Sequence, residues 1–437
     1  MQRYETDDII YALATGWTRS ALAIIRVSGN GALERVANAF SRPEALRKAS
    51  NATLVHGFVQ DASGDAVDEV VVAVNRAPHG YTGEDALEIT CHGSVVVIGR
   101  ILSVLGALGL RAAQPGEFTY RAFLHGKMDL TQAEAVEELV DAQSDVGSRM
   151  ALNRLRGVLG ERLGNLREKF LTVMAAIEVQ LDYSEDELDA FTFPEEQLEE
   201  IATEIERISS TYQVGRLYGS GAKVVLAGRT NAGKSSLFNL LLKENRSIVS
   251  EVPGTTRDYI EEACVIDGFP VRLYDTAGLR ESGDVVEREG IGRTKDLIAQ
   301  ADVVVYLRED GDPVPPEDGR TVVVWSKNDL QKHSGLSVSS LTGEGVPQLL
   351  AAIGAKLRQS APRGEEDVVV QSERQHTLLD ATASSIRGAL ELNAQKVPLD
   401  IVAALLQQGL ESLGEITGAV TTEDILNKIF SGFCVGK

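Results

Sequence analysis

The chain is expected to fold as an α+β N-terminal domain followed by an α-helical bundle that is interrupted by an inserted α/β domain with a largely parallel sheet. Three observations carry this expectation. The 437 residues correspond to roughly three domains at about 150 residues each. The hydrophobic pattern changes period twice, from short strand-type runs to a helical repeat and then to strand–helix alternation. The helical period returns near the C-terminal end, so the alternating segment lies inside a helical one.

Residues 1–120 contain the apolar runs DIIYALA, ALAIIRVSG, TLVHGFV, EVVVAVN and ALEIT, separated by Gly, Asn and Asp in a strand-and-turn pattern. Helices are expected near GALERVANAF and SVVVIGRILSVLGALG. In residues 121–220 the apolar spacing is three and four from Thr131 to Tyr183, too long for one ordinary helix, so several helices in a bundle are expected. A further helix follows over EEQLEEIATEIERISSTYQVGRLY, and the Gly-rich hinge YGSGAK ends the segment. Residues 221–360 read as strand, glycine loop, helix and strand in repetition, a βαβ arrangement with helices on both faces. QSAPRGEED reads as the exit linker, and residues 361–437 resume the helical period.

Charge and cysteines restrict the function classes. With 43 Lys and Arg against 64 Asp and Glu the net charge is −21, which excludes a broad basic surface for gripping nucleic acid. Eleven carboxylates and no Lys or Arg lie between Asp182 and Glu206; a solvated face and a partner-docking surface are both open readings. No apolar run approaches the ~18 residues of a membrane helix. The start MQRYETDDII has charges where a signal peptide needs an apolar stretch. Cys91, Cys264 and Cys434 are far apart and form no CxxC pair, and the six histidines lack metal spacing. A cytoplasmic protein is expected.

The chemistry concentrates in the inserted segment. Gly228-Arg-Thr-Asn231-Ala232-Gly233-Lys234-Ser235 fits GxxxxGK[ST], follows the strand KVVLA and precedes the helix SLFNLLL. Backbone N–H groups of such a loop close around phosphate oxygens, and the helix N-terminus adds positive potential. Lys234 would neutralise the β/γ-phosphates and Ser235, followed by Ser236, would offer a hydroxyl to Mg²⁺. Three further motifs follow in order: Gly254-Thr255-Thr256-Arg257-Asp258, Asp275-Thr276-Ala277-Gly278, and Ser326-Lys327-Asn328-Asp329. Asp275 can hold Mg²⁺ through water, Gly278 can donate its N–H to the γ-phosphate, and Thr256 would close on Mg²⁺ when that phosphate is present. Asp329 is placed to accept two hydrogen bonds from guanine N1 and N2, a donor pair that adenine lacks. Ser339-Ser340-Leu341 sits where GTPases contact the guanine carbonyl.

Two departures bear on mechanism. Ser326 stands where GTPases usually carry Asn, which should cost about one net hydrogen bond, roughly 0.5–1.5 kcal/mol. Leu279 stands where many GTPases place a Gln that orients water, and leucine cannot do so. Glu287, in GDVVEREG, is taken as the plausible carboxylate for that task, although a solvated glutamate is the plainer reading of the residue alone. Tyr81-Thr-Gly-Glu84-Asp85, His125-Gly-Lys127-Met-Asp129 and the terminal Phe433-Cys434-Val435-Gly436-Lys437 are polar or apolar clusters for which turns, caps and a docked helix end compete with a binding role.

Together GxxNxGKS, GTTRD, DTAGLR, TGED, PGEFTYRAF, GKMDLTQAEA and the FCVGK end resemble the tRNA-modification GTPase MnmE (TrmE) family over essentially the whole chain. The resemblance implies a Ras-like P-loop GTPase domain, a folate-binding and dimerising N-terminal domain, and a potassium-dependent homodimer. It implies a partner, an MnmG-like flavoprotein that carries the FAD, and tRNA whose wobble uridine is modified at C5. A tetrahydrofolate derivative (5-formyl- or 5,10-methylene-type) would supply the one-carbon unit. By match of motif, Asn231, Ser250, Val252 and Thr255 would surround K⁺, with Glu251, Pro253 and Gly254 in the same nucleotide-binding loop. Ser235 and Thr256 would bind Mg²⁺, and Glu287 would be the hydrolytic glutamate. Arg26, Glu84, Lys127 and Lys437 would bind folate, with Cys434 close by. The alternative, a ribosome-assembly GTPase, shares the GTPase motifs but needs a basic RNA-binding module that neither flank supplies.

Overall fold

The computed structural model describes residues 6–182, 192–245, 260–276, 296–312, 318–360 and 368–436. These form two compact units, Met1–Glu137 with Thr417–Lys437, and Glu138–Ile416.

The first unit is built on a six-stranded sheet of order β3-β4-β5-β2-β1-β6, with β1 Ile10–Leu13, β2 Leu22–Ser28, β3 Thr53–Gln60, β4 Ala66–Asn75, β5 Ala86–His92 and β6 Arg111–Ala112. Neighbours are antiparallel except β1 and β6. Period-two alternation decides the two faces. Val55, Val59, Val72, Leu87, Ile89, Ile25 and Val27 point to one side and pack with Ile98, Ile101 and Leu105 of the helix Val95–Ala107. The opposite face carries Leu54, Phe58, Val71 and Leu22, all exposed, and toward β1 it is covered by Phe118 of the helix Glu117–Leu124, which packs with Ile10 and Ala12.

The C-terminal residues of this unit depart from the expected division at 120 and 361. Phe430 meets Tyr120 edge-on at 5.4 Å and lies 6.5 Å from Phe123, and Phe433 packs on Phe430 at 5.4 Å. Gly116 and Gly418, both with left-handed φ, allow the close approaches: a Cβ would stand 2.5 Å from the Phe430 carbonyl in the first case and 2.7 Å from the Phe123 ring in the second. Aromatic burial of this kind is worth ~1.5–3 kcal/mol per side chain, which is why residues after Ile416 leave the helical bundle and join the sheet.

In the second unit the long helical stretch divides into Asp145–Leu155 and Val158–Asp182, preceded by Leu130–Asp141, in which the division between the units falls. The next stretch, expected as one helix, divides at Thr211 into Glu195–Ser210 and Tyr212–Gly219. There the Thr211 hydroxyl turns back to the Ile208 carbonyl at 2.6 Å and accepts from Val370 N–H at 3.0 Å. The helices Glu373–Ala394 and Leu399–Thr417 complete the bundle around Phe170, Ile177, Ile201, Ile205, Ile386 and Leu406. The part of the acidic run from 183 to 191 lies outside the described residues; within the remainder, Glu204 pairs with Arg162 and Arg207, and Glu199 and Glu206 pair with Arg387.

These pairs give a pH prediction. The hydrogen bond from Arg207, then that from Arg162, hold the Glu204 carboxyl down at about 2 against burial. Because the folded value is depressed, the stabilisation is complete above the unfolded carboxylate range and is lost as pH falls from there toward 2. These are solvent-screened pairs, so the Arg162→Gln protein should lose only about 1 kcal/mol at neutral pH, and the difference from the unsubstituted chain should vanish near pH 2 in denaturant titrations.

The same unit holds a five-stranded sheet of order β11-β10-β7-β9-β8, with β7 Ala222–Gly228, β8 Ile260–Ile266, β9 Phe269–Asp275, β10 Val303–Arg308 and β11 Thr321–Trp325. It is parallel except for edge strand β8, which runs antiparallel to β9. Central β7 is apolar on both sides. Val224 and Leu226 face a core with Leu237 of the helix Lys234–Asn245 and Ile353 of the helix Val346–Ser360, while Val225 and Ala227 face Leu297 and Ile298. The order puts β7 between β10 and β9, so the chain reverses direction of progress across the sheet at the end of β7, the place where open α/β sheets bind ligands.

Candidate functional site

The loop leaving β7 has the backbone that a phosphate cradle requires. At Gly228, φ is +137° and a Cβ would stand 2.5 Å from the Leu307 carbonyl oxygen, so no side chain fits. Gly233 has φ +88°, and Asn231 adopts φ +65° although it is not glycine. Ala232 is buried beneath the loop. The helix begins at Lys234, so its first-turn N–H groups and positive end face the loop. The Lys234 ammonium is folded into the concavity, buried, donating to the Gly228 carbonyl at 3.0 Å and the Arg229 carbonyl at 2.7 Å. Ser235 and Ser236 are exposed at the first turn. Asp275 is buried at the end of β9 opposite Leu226, and the Thr276 hydroxyl donates to the Leu226 carbonyl at 2.8 Å.

The residues expected to read the base follow β11. Asp329 Oδ1 accepts from the Ser339 hydroxyl at 2.6 Å, and Ser339, fully buried, also accepts from the N–H groups of Leu341 and Thr342 at 3.3 and 3.2 Å. Asn328 N–H donates to the Val338 carbonyl at 3.0 Å. Leu341 is exposed, and Ser340 lies near Gly233: its hydroxyl would be 3.9 Å from a Cβ placed there. Lys327 has φ +57° and pairs with Glu309 at 2.7 Å. Ser326 is 5% exposed, and its hydroxyl has no hydrogen-bond partner among the described residues.

In the first unit Arg26 stands on β2 opposite Glu88 on β5, on the sheet face away from the helix Val95–Ala107. It donates to Glu88 Oε1 from Nε and Nη2 at 3.0 and 2.9 Å and to the Gly436 carbonyl from Nη1 at 3.0 Å. Its guanidinium lies 5.7 Å from the Tyr81 ring centre and 5.8 Å from that of Phe118. Gly436 has φ +95°, and a Cβ there would stand 2.6 Å from the Leu13 carbonyl, so the tail passes against β1 only because this residue is glycine. Phe433 is buried and Cys434 is exposed, with its carbonyl accepting from Gly116 N–H at 3.4 Å. Glu84 is buried; it accepts at 2.7 Å from Ser28, which follows Arg26 by two residues on β2, and at 3.2 Å from Arg121. Lys127 donates to the Pro78 carbonyl at 2.9 Å.

Two family models match these segments. Residues 9–127 match that of the GTP-binding protein TrmE N-terminus, and residues 130–434 match that of the MnmE helical domain. The tRNA modification GTPase MnmE of Treponema denticola is 36% identical over 100% of this chain and 99% of its own length; that of Moorella thermoacetica is 38% identical over 99% and 100%. The chain belongs to the MnmE family of tRNA modification GTPases. Among solved structures, a single-residue variant of Aquifex aeolicus Era bound to GDP·AlF4⁻ aligns at 21% identity with a TM-score of 0.25, covering 37% of this chain and 66% of that one.

Of the residues expected at an MnmE nucleotide site, Ser250, Glu251, Val252, Pro253, Gly254, Thr255, Thr256, Ala277, Gly278 and Glu287 lie outside the described residues, as does Lys437 in the folate group. Those described fall into two clusters, one around Lys234, Asp275 and Asp329 and one around Arg26, Glu84 and the tail. Sequence reasoning missed the charge network beside the second. Arg121, fully buried, reaches Asp8 and Glu117 as well as Glu84, and Arg111 reaches Asp8 and Glu117. Although burial pushes Asp8 up, the hydrogen bonds from Arg111 and Arg121 hold its carboxyl below the usual range. The only signal available was the Glu117 and Arg121 pair inside PGEFTYRAF, four apart and so on one helix face.

The three cysteines differ in reactivity. Burial pushes the Cys91 thiol up to about 11 and the Cys264 thiol up to about 12, whereas Cys434 is exposed. Iodoacetamide at neutral pH should therefore label Cys434 alone in the native protein, and all three after unfolding; rapid native labelling of Cys264, read by peptide mass spectrometry, would contradict its placement.

Proposed function

We propose that the protein is a Mg²⁺- and K⁺-dependent GTP hydrolase that works as a homodimer with an MnmG-like, FAD-carrying flavoprotein. In this reading the complex modifies C5 of the wobble uridine of tRNA with a one-carbon unit from a tetrahydrofolate derivative. Its family is one of tRNA modification GTPases, which makes GTP hydrolysis in tRNA modification the activity of this chain. The observation that carries the nucleotide reading is the joint placement of an enclosed lysine ammonium in a glycine loop and a carboxylate oriented by Ser339 at the ends of parallel strands of one sheet.

The donor set fits Mg²⁺. Ser235 presents a hydroxyl at the helix start and Asp275 a carboxylate on the neighbouring strand, both hard oxygen donors. Bound there, Mg²⁺ would neutralise developing charge on the phosphates. Lys234, released from the two loop carbonyls that now hold it, would reach the same phosphates. For K⁺, the described donor is Asn231, exposed in a left-handed backbone conformation; the rest of the reading comes from the resemblance. The homodimer reading is supported by the uncovered sheet face, where Leu54 is 70% and Leu22 58% exposed. Among the described residues no helix is long and apolar enough to cross a membrane. The nucleotide domain is taken as 221–360 inserted in the helical one, with the cytoplasm as its place of work. At a net charge of −21, tRNA phosphates would fall mainly to the partner.

The folate reading rests on Arg26, Tyr81 and the tail meeting at one place. A folate carries glutamate carboxylates and a flat polar ring, which suit a guanidinium beside aromatic faces. Removing residues 433–437 takes away the Gly436 carbonyl that orients Arg26 and uncovers the Phe430 ring, so reduced-folate binding by calorimetry should fall at least about tenfold, roughly the 1.4 kcal/mol of one lost contact, while GTP binding stays unchanged. Equal folate affinity would sink the role of the tail. The whole reading is tested by nucleoside analysis of tRNA from a strain lacking this protein, with and without complementation. Unmodified wobble uridines are expected without it, and unchanged ones would overturn the proposal.

A further inference from the structure

The nucleotide site has a phosphate half, Gly228–Ser235, and a base half, Ser326–Asp329 with Ser339–Leu341. A rigid ligand binds both well only if they are held at a fixed separation. The four residues Glu309–Asp312, which leave β10, touch both halves. Asp312 is 5% exposed; its Oδ1 accepts from Arg229 Nη1 at 3.0 Å, its Oδ2 from Glu309 N–H at 2.9 Å, and its carbonyl from Arg308 Nη2 at 3.2 Å. Arg229 belongs to the phosphate loop, and its own carbonyl holds Lys234. On the base side, Glu309 pairs with Lys327 at 2.7 Å and Asp310 accepts from Gln331 at 2.6 Å. Arg308 lies 4.6 Å over the ring of Trp325, the residue before Ser326.

The base half is tied internally through Asp329 and Ser339, but two of its side-chain atoms are left over. The Ser326 hydroxyl and Asn328 Oδ1 are both buried without a hydrogen-bond partner among the described residues. Serine ends one bond short of the carboxamide oxygen and nitrogen that GTPases usually carry at this position, and its hydroxyl ties to no neighbouring loop among the described residues. We propose that Asp312 is a positioning residue of the nucleotide site: by holding Arg229 it fixes the phosphate loop against the base-reading loop, a constraint that the side chain of Ser326 does not supply. The proposal rests on the reading of this site as a GTP site. The Glu309 backbone hydrogen bond, followed by Arg229, keeps the Asp312 carboxyl below the usual range, so the clasp stays ionised throughout the neutral pH region.

The test is GDP affinity of the full chain, read with a fluorescent GDP, for the unsubstituted protein, Asp312→Asn, Arg229→Gln, the double variant, and Ser326→Asn in each background. Asp312→Asn keeps an acceptor for Glu309 N–H and removes only the charge toward Arg229. It should weaken GDP binding about three- to fivefold, as should Arg229→Gln, in line with a partly exposed ion pair. The double variant should be no weaker than Arg229→Gln alone, because the carboxylate acts through that arginine. Ser326→Asn should raise affinity more in the Asp312→Asn background than in the unsubstituted protein, whereas a merely structural role for Asp312 predicts the same gain in both. Thermal unfolding without nucleotide should not shift. Should Asp312→Asn fail to fold, Arg229→Gln carries the test, since that side chain is 69% exposed. Unchanged affinity in Arg229→Gln and Asp312→Asn, or losses that simply add in the double variant, would overturn the proposal. A full-length chain that binds no guanine nucleotide at all would instead remove the GTP reading beneath it.

Discussion

GTP should outcompete ATP at this site by as much as about 10⁴–10⁵-fold, the range reached when a site built to hydrogen-bond a ligand group meets an analogue lacking it. The residue responsible is Asp329. One carboxylate oxygen already accepts from Ser339 at 2.6 Å, which fixes the plane of the group and leaves its remaining lone pairs for two donors side by side. Guanine presents N1–H and N2–H in that arrangement; adenine presents a bare N1 and would leave the carboxylate desolvated and unpaired. Ser326 lowers the affinity for both nucleotides without altering this choice, because its hydroxyl bears on loop rigidity and not on the base edge. Asp329→Asn should therefore lose most of the preference, since an amide turns one acceptor into a donor that faces guanine's own donors. Competition binding with labelled GDP decides the matter, and similar inhibition by ATP and GTP in the unsubstituted protein would refute the assignment.

The difference between Asp329 and Asp312 shows what was legible in the sequence. Asp329 is singled out by a local motif, Ser326-Lys327-Asn328-Asp329 after the strand TVVVW, whose spacing carries the expectation of a base-binding role. Asp312 has no such local mark: its partner Arg229 is 83 residues away and occupies a position of the phosphate loop that the motif leaves free. The strands were readable for a similar reason. Alternation in TLVHGFV gives β3 its buried Val55 and Val59 and its exposed Leu54 and Phe58 directly, since period two is a property of the strand itself. The long repeat from Thr131 gave helices but not their breaks, because amphipathic spacing continues across Leu155–Val158 with little interruption. The destination of the tail was readable only through the resemblance, which puts Cys434 and Lys437 with Arg26 and Glu84; the apolar spacing of residues 417–436 does not give it. Phe430 and Phe433 are apolar in any helix, and only the complementary ring surfaces of Tyr120 and Phe123, joined through Gly116 and Gly418, select the first unit over the bundle.

Hydrolysis should require potassium and Glu287, and each dependence should be large. Leu279 cannot orient a water molecule, so the attacking water needs a different general base or positioning group, and the family resemblance points past the nearer Glu281 and Asp284 to Glu287. Charge on the γ-phosphate must also be met. Among GTPases an arginine finger supplies that charge at a gain of ~10³–10⁵ in turnover. Here no arginine is assured at that place, and a monovalent cation beside Asn231 would take on the task. Asn231 is exposed and held at φ +65°, a left-handed conformation that costs ~1 kcal/mol or more. Turnover should consequently fall by about two to three orders of magnitude when sodium replaces potassium, short of the full arginine-finger effect because sodium is itself a cation and supplies part of the charge. It should also rise with protein concentration, since a cation-ordered loop would bring two nucleotide domains together. Glu287→Ala should bind GTP with unchanged affinity and hydrolyse it about 10²–10⁴-fold more slowly, the usual contribution of a positioned general base. Asn231→Ala should remove the potassium response while leaving guanine selectivity intact, because the base half of the site is untouched. Phosphate-release kinetics in the two salts, at several protein concentrations, separate these effects. Equal turnover in sodium and potassium would place the transition-state charge elsewhere, and an active Glu287→Ala protein would remove that carboxylate from the reaction.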